Sequence, residues 1–419
     1  MKKIYLIMAA VLGMTLQSCL MEEKQLFDKS PAERMDAYLS EIGAVLESSE
    51  NGWLLEYYAE DEQSYGGYAY VLKFEKGEVT AYFQLADDLE ETKTSYYKLV
   101  ADDGPVLTFD TYNEYIHYFS TPNIQDYQAM QGDYEYRLLG KNDEATEIYV
   151  EGKRTNNRMT LRKFEGDPVE YLAKSLEVEV EATAPSYSFE VGGAKGVCAL
   201  AGNILEFEYT PAGSEEPVSG SSAYCFTDKG IRLYAPIEVE GVEVNEFTFD
   251  FTALAMTSVD GSVKIVNVYP PLSEQIMIGD WFISRKGLGT FGVQKMEAVN
   301  AGGISNFGGV GALILGNYFE VGWGLNFYVN AGYLGVYGLD ITAVADDKVT
   351  IQYNAAKNLV YADTFISYGS APMLEIFGAT APKSFTMTAD DVKKPTWILL
   401  TDESNPDNTI MLTKAFSMF

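Results

Sequence analysis

The sequence predicts a mainly β protein, built as antiparallel meander sandwiches or barrel-like units with a few short amphipathic helices. Two observations predict it. Short runs rich in tyrosine, phenylalanine and β-branched residues follow one another with only Gly, Asn and Asp turn signals between them, which leaves no room for the crossovers of a parallel sheet. Only two stretches, at about 30–49 and 167–177, pair an N-terminal helix signal with helical apolar spacing.

The first helix opens with Ser30 as N-cap, Pro31 at the first helical position and Glu33 at the third, a capping-box pattern. Met35, Leu39, Ile42 and Leu46 then give one apolar stripe, and Asn51-Gly52 stops it before the β-type run Trp53-Leu54-Leu55-Glu56-Tyr57-Tyr58. Strand-like runs follow at 68–75, 78–85, 94–100, 105–111, 115–120, 133–139, 146–151 and 158–164. The second helix opens at Asp167-Pro168 with Glu170 behind it, and further strands are expected at 187–191, 204–209, 223–227, 230–235, 246–251 and 263–268. After Pro270-Pro271 come Trp281, a glycine-rich stretch over 302–338 whose glycines suggest sheet curvature, and strands at 348–353 and 397–401.

At 419 residues the chain exceeds what one ordinary core serves, and its 47% hydrophobic and 22% charged residues are those of a folding globular chain. The expected units are 27–165, 166–272 and 273–419. Hairpins with Asn-rich turns, Thr155-Asn156-Asn157 and Pro406-Asp407-Asn408, close the first and the last, and Val259-Asp260-Gly261-Ser262 links two strands in the middle. This pattern reads as three related β units.

Ahead of them, Lys2 and Lys3 precede an apolar stretch from Ile4 to Leu16, too short to span a bilayer, so 1–18 reads as a signal peptide. Leu16-Gln17-Ser18-Cys19 resembles the bacterial lipobox, which makes Cys19 the expected lipid attachment site and 19–26 a tether. Acyl chains on one residue hold a protein at a membrane because each buried methylene contributes about 0.8 kcal/mol. Beyond Cys19 only Cys198 and Cys225 remain. In an oxidising compartment they are candidates for one disulfide or, equally, two small buried hydrophobes.

The side-chain inventory narrows the chemistry. A formal charge of −31, from 61 acids against 30 bases, excludes nucleic acid as a partner, because phosphate binding needs clustered cations. His117 is the single histidine, so multi-histidine metal sites are impossible and any triad would have to use it. No motif calls for a cofactor or a metal. The oxygen-rich loops at 87–91 and 402–408 lack EF-hand spacing and read first as solvated turns. Carboxylate pairs for glycoside hydrolysis are available in number, and the sequence selects none. With 30 tyrosines, clusters such as Tyr65, Tyr68 and Tyr70, or Tyr112 and Tyr115, are candidate ligand platforms, against the alternative that tyrosine is simply favoured in strands.

Several stretches together resemble a family of Bacteroidota surface lipoproteins defined by a domain of unknown function over about residues 27–419. They are Lys29-Ser30-Pro31-Ala32-Glu33-Arg34, Asn51-Gly52-Trp53, Leu107-Thr108-Phe109-Asp110-Thr111-Tyr112-Asn113 with Tyr118-Phe119, Lys229-Gly230-Ile231 and Pro395-Thr396-Trp397. Leu20-Met21-Glu22-Glu23 is also similar to the acidic signal that sends such lipoproteins to the outer face of the outer membrane. The resemblance implies a setting beside an outer-membrane nutrient importer and transfers no catalytic residue. The expected function is therefore a lipid-anchored, cell-surface binding or accessory protein for glycan or peptide capture, not an enzyme. A two-carboxylate glycoside hydrolase and a structural subunit of a transporter complex are the alternatives.

Overall fold

The computed structural model describes residues 29–419 apart from 123, 125, 126, 417 and 418; Cys19 and the leader lie outside the described residues. The protein is mainly antiparallel β, with 42% strand and 20% helix in barrel-like and half-barrel sheets. It divides into two compact units, one holding residues up to Thr183 with Tyr187–Asn267, the other Ala184–Ser186 with Val268–Phe419.

In the first unit, helix α1 (Pro31–Leu46) starts with the expected capping box. The Glu33 N–H donates to Ser30 Oγ at 3.2 Å, and the Ser30 N–H donates back to Glu33 Oε2 at 2.9 Å. Ile42 and Leu46 are buried, and the Trp53 indole N–H donates to the Leu46 carbonyl at 2.8 Å, tying the helix end to the sheet. Nine strands follow: β1 (Trp53–Tyr58), β2 (Gly67–Glu75), β3 (Glu78–Phe83), β4 (Lys93–Tyr96), β5 (Lys98–Ala101), β6 (Pro105–Thr108), β7 (Glu135–Lys141), β8 (Glu147–Gly152) and β9 (Arg158–Lys163). Their order is β4-β3-β2-β1-β9-β8-β7-β6-β5, so the first and last strands pair at the centre.

The run at 94–100, expected as one strand, is two. It breaks at Tyr97, and its halves β4 and β5 are the opposite edges of the sheet. Because consecutive Cα atoms lie only 3.8 Å apart, that single residue brings the edges together and curls the sheet into a half-barrel. Every residue of β1 is buried, which explains the unalternating apolar run there: both faces of the central strand are covered.

Helix α2 (Pro168–Ala182) begins at Asp167, whose carboxylate accepts from the Glu170 N–H at 2.9 Å, and it runs past the expected end because Val178 and Ala182 continue its buried stripe. It leads to a closed barrel of β10 (Ser186–Val191), β11 (Ala194–Ala201), β12 (Ile204–Tyr209), β13 (Val218–Phe226), β14 (Gly230–Val239), β15 (Val242–Asp250), β16 (Ala255–Ser258) and β17 (Val263–Val268), each paired with the next.

This barrel separates the two cysteines. Cys198 pairs with Phe207 and Phe207 with Gly220, so these three share a face of the wall; Cys225, five residues beyond Gly220, points to the other face. There it joins Ala223 in the core of the half-barrel. Both are free thiols, and the strand between β11 and β13 adds a spacing of roughly 9–10 Å, beyond disulfide reach. Burial pushes the Cys198 thiol up to about 12 and the Cys225 thiol well above its ordinary value, so neither is a ready nucleophile. Non-reduced protein unfolded in the presence of iodoacetamide is expected to take one label on each cysteine; a Cys198–Cys225 cross-linked peptide in the mass spectrum would refute this arrangement.

The second unit carries a short helix α3 (Leu272–Gln275), then β18 (Trp281–Ile283), α4 (Thr290–Ala301), β19 (Val310–Gly316), β20 (Gly324–Val329), β21 (Leu334–Tyr337), β22 (Leu339–Ala345) and β23 (Lys348–Tyr353). After them come β24 (Leu359–Val360), α5 (Ala362–Phe365), α6 (Ala371–Leu374), β25 (Lys383–Ala389), β26 (Trp397–Asp402) and β27 (Thr409–Thr413). With the short β24 set aside, the sheet order β21-β20-β19-β18-β27-β26-β25-β23-β22 repeats that of the first half-barrel strand for strand. The edges are again joined by one residue, Gly338, and a buried tryptophan again opens the central strand. The relation expected among three units thus holds, in strand order, between the first and the last; the middle one is a plain meander closed on itself.

Candidate ligand platform on the first cap

Both half-barrels carry a long insertion at the same place in the strand order. Residues 109–134 lie between β6 and β7, and residues 354–382 between β23 and β25. The first, here the first cap, seats Phe109, Tyr115, Ile116 and Phe119 in the half-barrel core. Gly132 lets it approach: a Cβ there would stand 2.5 Å from the Tyr57 hydroxyl and 2.7 Å from Phe119 Cβ. The space left between cap and sheet, lined by Leu55, Tyr70, Phe109 and Tyr136 among others, is about 10 Å³, no more than one water would need. Whatever this cap binds, it binds on its outer surface.

Residues 115–120, expected as a strand, form turns and a 3₁₀ helix (Tyr118–Ser120). Asn113 decides this. Its Oδ1 accepts from the N–H groups of Tyr115 at 3.1 Å and Ile116 at 3.3 Å, while its amide donates to the Lys93 carbonyl at 3.0 Å. An Asx turn of this kind offers the backbone an alternative to a ladder. His117 is buried, and its Nδ1 accepts from the Asn113 N–H at 3.1 Å. Burial pushes its pKa down, against backbone hydrogen bonds at Asn113 and Phe109 that work the other way, so the ring is neutral at pH 7.

That neutral ring touches two tyrosine rings at a tilt, Tyr112 at 5.3 Å between centroids and Tyr134 at 4.9 Å, with interplanar angles of 36° and 30°. Tyr112 is 64% exposed and Tyr134 39%, and Tyr118, also exposed, packs at a tilt on Phe83 at 5.3 Å. The cap therefore holds fixed tyrosine rings in solvent, each backed by another ring.

Of the tyrosines expected as platform residues, only Tyr112 faces out. Tyr70 and Tyr115 are brought together inside the core, where the Tyr70 hydroxyl donates to the Tyr115 carbonyl at 2.9 Å and the Tyr70 ring stacks on Phe83 at 4.4 Å. Tyr65 and Tyr68 are half-buried, and Tyr68 lies against Phe119. Tyr134 escaped the sequence reading because nothing local marks it; its place beside His117 is fixed only by the cap.

In each of the two oxygen-rich loops the protein itself holds some of the carboxylates. At 87–91, Asp88 accepts from the Glu90 N–H at 2.9 Å and Glu91 pairs with Lys93 at 2.6 Å. At 402–408 the chain makes the β26–β27 turn around a buried Asp402. Three carboxylates are buried among the described residues, Glu56, Asp133 and Asp402, and each is held by its own donors: arginines on Glu56, the Arg154 and Thr155 N–H groups on Asp133, and Lys383, Asn408 and Ser404 on Asp402.

A half-barrel, a closed barrel and a second half-barrel with loop-borne aromatic rings make this a β-rich protein of scaffold-and-loop type. Residues 23–251 match the family described as "Domain of unknown function (DUF4302)", and since that is more than half of the sequence, the chain belongs to this family. The match covers the first half-barrel with its cap and most of the closed barrel, and stops well short of 419. No curated protein matches the chain. Among solved structures, the DNA polymerase III subunit beta sliding clamp of Pseudomonas aeruginosa bound to griselimycin is 12% identical over 92% of this chain and 97% of that one, with a TM-score of 0.12. The immune modulator A of Aeromonas veronii is 10% identical over 91% of this chain and 99% of that one, with a TM-score of 0.13. Likenesses this distant carry no argument. Among the described residues no helix is long and apolar enough to cross a membrane.

Proposed function

We propose that the protein is a lipid-anchored surface protein that captures neutral glycans on the tyrosine faces of its first cap, beside an outer-membrane importer. The observation that carries this reading is the pair of exposed rings, Tyr112 and Tyr134, that both pack on the buried His117 ring. Tyrosine rings present an apolar face to the C–H side of a pyranose and a hydroxyl to its edge, at little cost in side-chain entropy because they are already packed. Asp110 and Glu114, exposed beside Tyr112 in the sequence and paired with Lys98 and Lys93, keep carboxylate lone pairs that can accept from sugar hydroxyls. A charge of −31 repels acidic polysaccharides and leaves neutral ones. A peptide would need pockets for anchoring side chains, and beneath the cap there is room only for about 10 Å³.

On a glycan array, the mature chain without its lipid is expected to bind neutral oligosaccharides, and Tyr112→Ala with Tyr134→Ala to weaken binding about tenfold or more. Binding only to peptides, or to nothing on the array, would sink the reading. The anchor has its own test. Wild-type protein expressed in a Bacteroides host is expected to incorporate labelled palmitate and partition with membranes, whereas Cys19→Ala does neither; a labelled Cys19→Ala protein would refute the lipobox.

A further inference from the structure

The strand order repeats in the part of the chain that follows the family match. The insertion at 354–382, here the second cap, sits where the first cap sits and is built in the same manner. Phe365, Leu374, Ile376 and Phe377 plug the half-barrel, and Gly335 on β21 permits a close approach, since a Cβ there would meet Phe365 at 2.8 Å and the Ala362 N at 3.0 Å. The Tyr337 hydroxyl and Ser370 Oγ share a hydrogen bond at 2.5 Å beneath it.

Its outer surface again holds tyrosines in solvent. Tyr361 and Tyr368 are 46% and 43% exposed, and Tyr333, from the β20–β21 turn next to them, is 47% exposed. The Tyr333 and Tyr361 centroids lie 5.6 Å apart, and both Tyr333 and Tyr368 rest on Phe307, at 6.1 Å and 5.1 Å. The backbone that carries them is held in uncommon conformations. Val360, next to Tyr361, has φ 55°, the single β-branched residue with positive φ among the described residues, and the chain kinks at Gly369, φ 95°, between α5 and α6. Such strain persists only where surrounding packing enforces it, and it gathers at binding sites.

The same cap, through Lys357, also walls an open groove of about 600 Å³ shared with Trp323, Asp340, Thr342 and Gln352. That volume suits a small ligand. Lys357 and Asp340 neutralise each other at 2.7 Å, and the buried Trp323 indole N–H has no acceptor in the protein.

From these observations we infer that the second cap is a second binding site for neutral glycan. The chain would then engage a polysaccharide through two platforms of one chemistry. This inference rests on the glycan reading of the first cap for its ligand class, but on different residues. Titration calorimetry of the mature chain with cellohexaose, maltoheptaose, xylohexaose and mannohexaose tests both. The expected result is two equivalents of at least one oligosaccharide per chain. Tyr361→Ala with Tyr368→Ala should remove one equivalent, Tyr112→Ala with Tyr134→Ala the other, and Tyr361→Phe with Tyr368→Phe, which keeps the rings, should retain two. Unchanged circular dichroism excludes misfolding as the cause. Binding at one equivalent that survives the 361/368 alanine pair overturns the second site and leaves the first. Binding lost only with the 361/368 pair keeps the second site and overturns the first; no binding to any of the four overturns both.

Discussion

Asp402→Ala is expected to destabilise the second unit by about 3–5 kcal/mol, the cost of breaking a buried, hydrogen-bonded ion pair. Asp402 has no exposure to solvent at the end of β26. Its Oδ1 accepts from the Ser404 N–H at 2.9 Å and hydroxyl at 2.6 Å, and its Oδ2 from the Asn408 amide at 3.0 Å and from the Lys383 ammonium. Burial alone would raise the pKa of this carboxyl. The donors from Asn408, Lys383 and Ser404 outweigh it and hold the group at about 2, below its ordinary 3.8. The sign follows from that depression: the contribution is fully present above pH 3.8 and disappears as the pH falls toward 2, amounting to roughly 2 kcal/mol. Trp281, Trp323 and Trp397 lie in the second unit and only Trp53 in the first, so denaturant melts followed by indole fluorescence report mainly on the affected half. A melt of Asp402→Ala within 1 kcal/mol of wild type at pH 7 would contradict the assignment, as would equal destabilisation by the substitution at pH 7 and at pH 2.

How much of this was legible in sequence depended on range. Ser30 and Glu33 announced α1 because a capping box is complete within four residues, and Asp167 announced α2 for the same reason. Most strands of the first unit were legible in kind from Tyr, Phe and Val runs, whereas β19 to β22 and β25 in the second unit were not. Nor was the pairing of the strands. The run at 94–100 reads as a single strand in any local view, and only closure of the sheet breaks it at Tyr97. The strand β11 went unseen because Ala, Gly and Cys dominate it, residues without β propensity whose place is set by the barrel wall. Tyrosine is equally at home in a packed strand and on a solvent-facing loop, so Tyr70 and Tyr112 carry the same local signal and end on opposite sides of the cap. A charged residue inside an apolar run was a stronger clue. Glu56 stands in Trp53-Leu54-Leu55-Glu56-Tyr57-Tyr58, and a carboxylate in a strand covered on both faces requires cations that the sequence alone does not locate.

The structure locates them. Glu56 accepts from Arg162 on β9 at 2.9 Å and from Arg232 on β14, and Arg232 also bonds Glu246 at 3.2 Å. Burial lowers the Arg232 pKa, and Glu56 and Glu246 outweigh that and raise it, so the cation is fixed at every accessible pH. Glu56→Ala should therefore cost about 3–5 kcal/mol by leaving two partly buried guanidinium groups uncompensated. Exposed pairs such as Lys174–Glu170 should contribute far less, because solvent screens them. The contrast separates a charge network from a merely large side chain through a double-mutant cycle. If the loss comes from stranded charge, Glu56→Leu combined with Arg232→Met should recover at least about 1–2 kcal/mol relative to the sum of the single changes. Additive losses would mean that Glu56 acts by volume alone. The network ties the half-barrel that carries the first cap to the closed barrel beside it, and all four of its residues, Glu56, Arg162, Arg232 and Glu246, fall within the family match at 23–251. If the network holds those two sheets as one body, Glu56→Ala should make them melt in two steps, with cap-borne tyrosine fluorescence and Cys225 alkylation no longer changing at the same denaturant concentration.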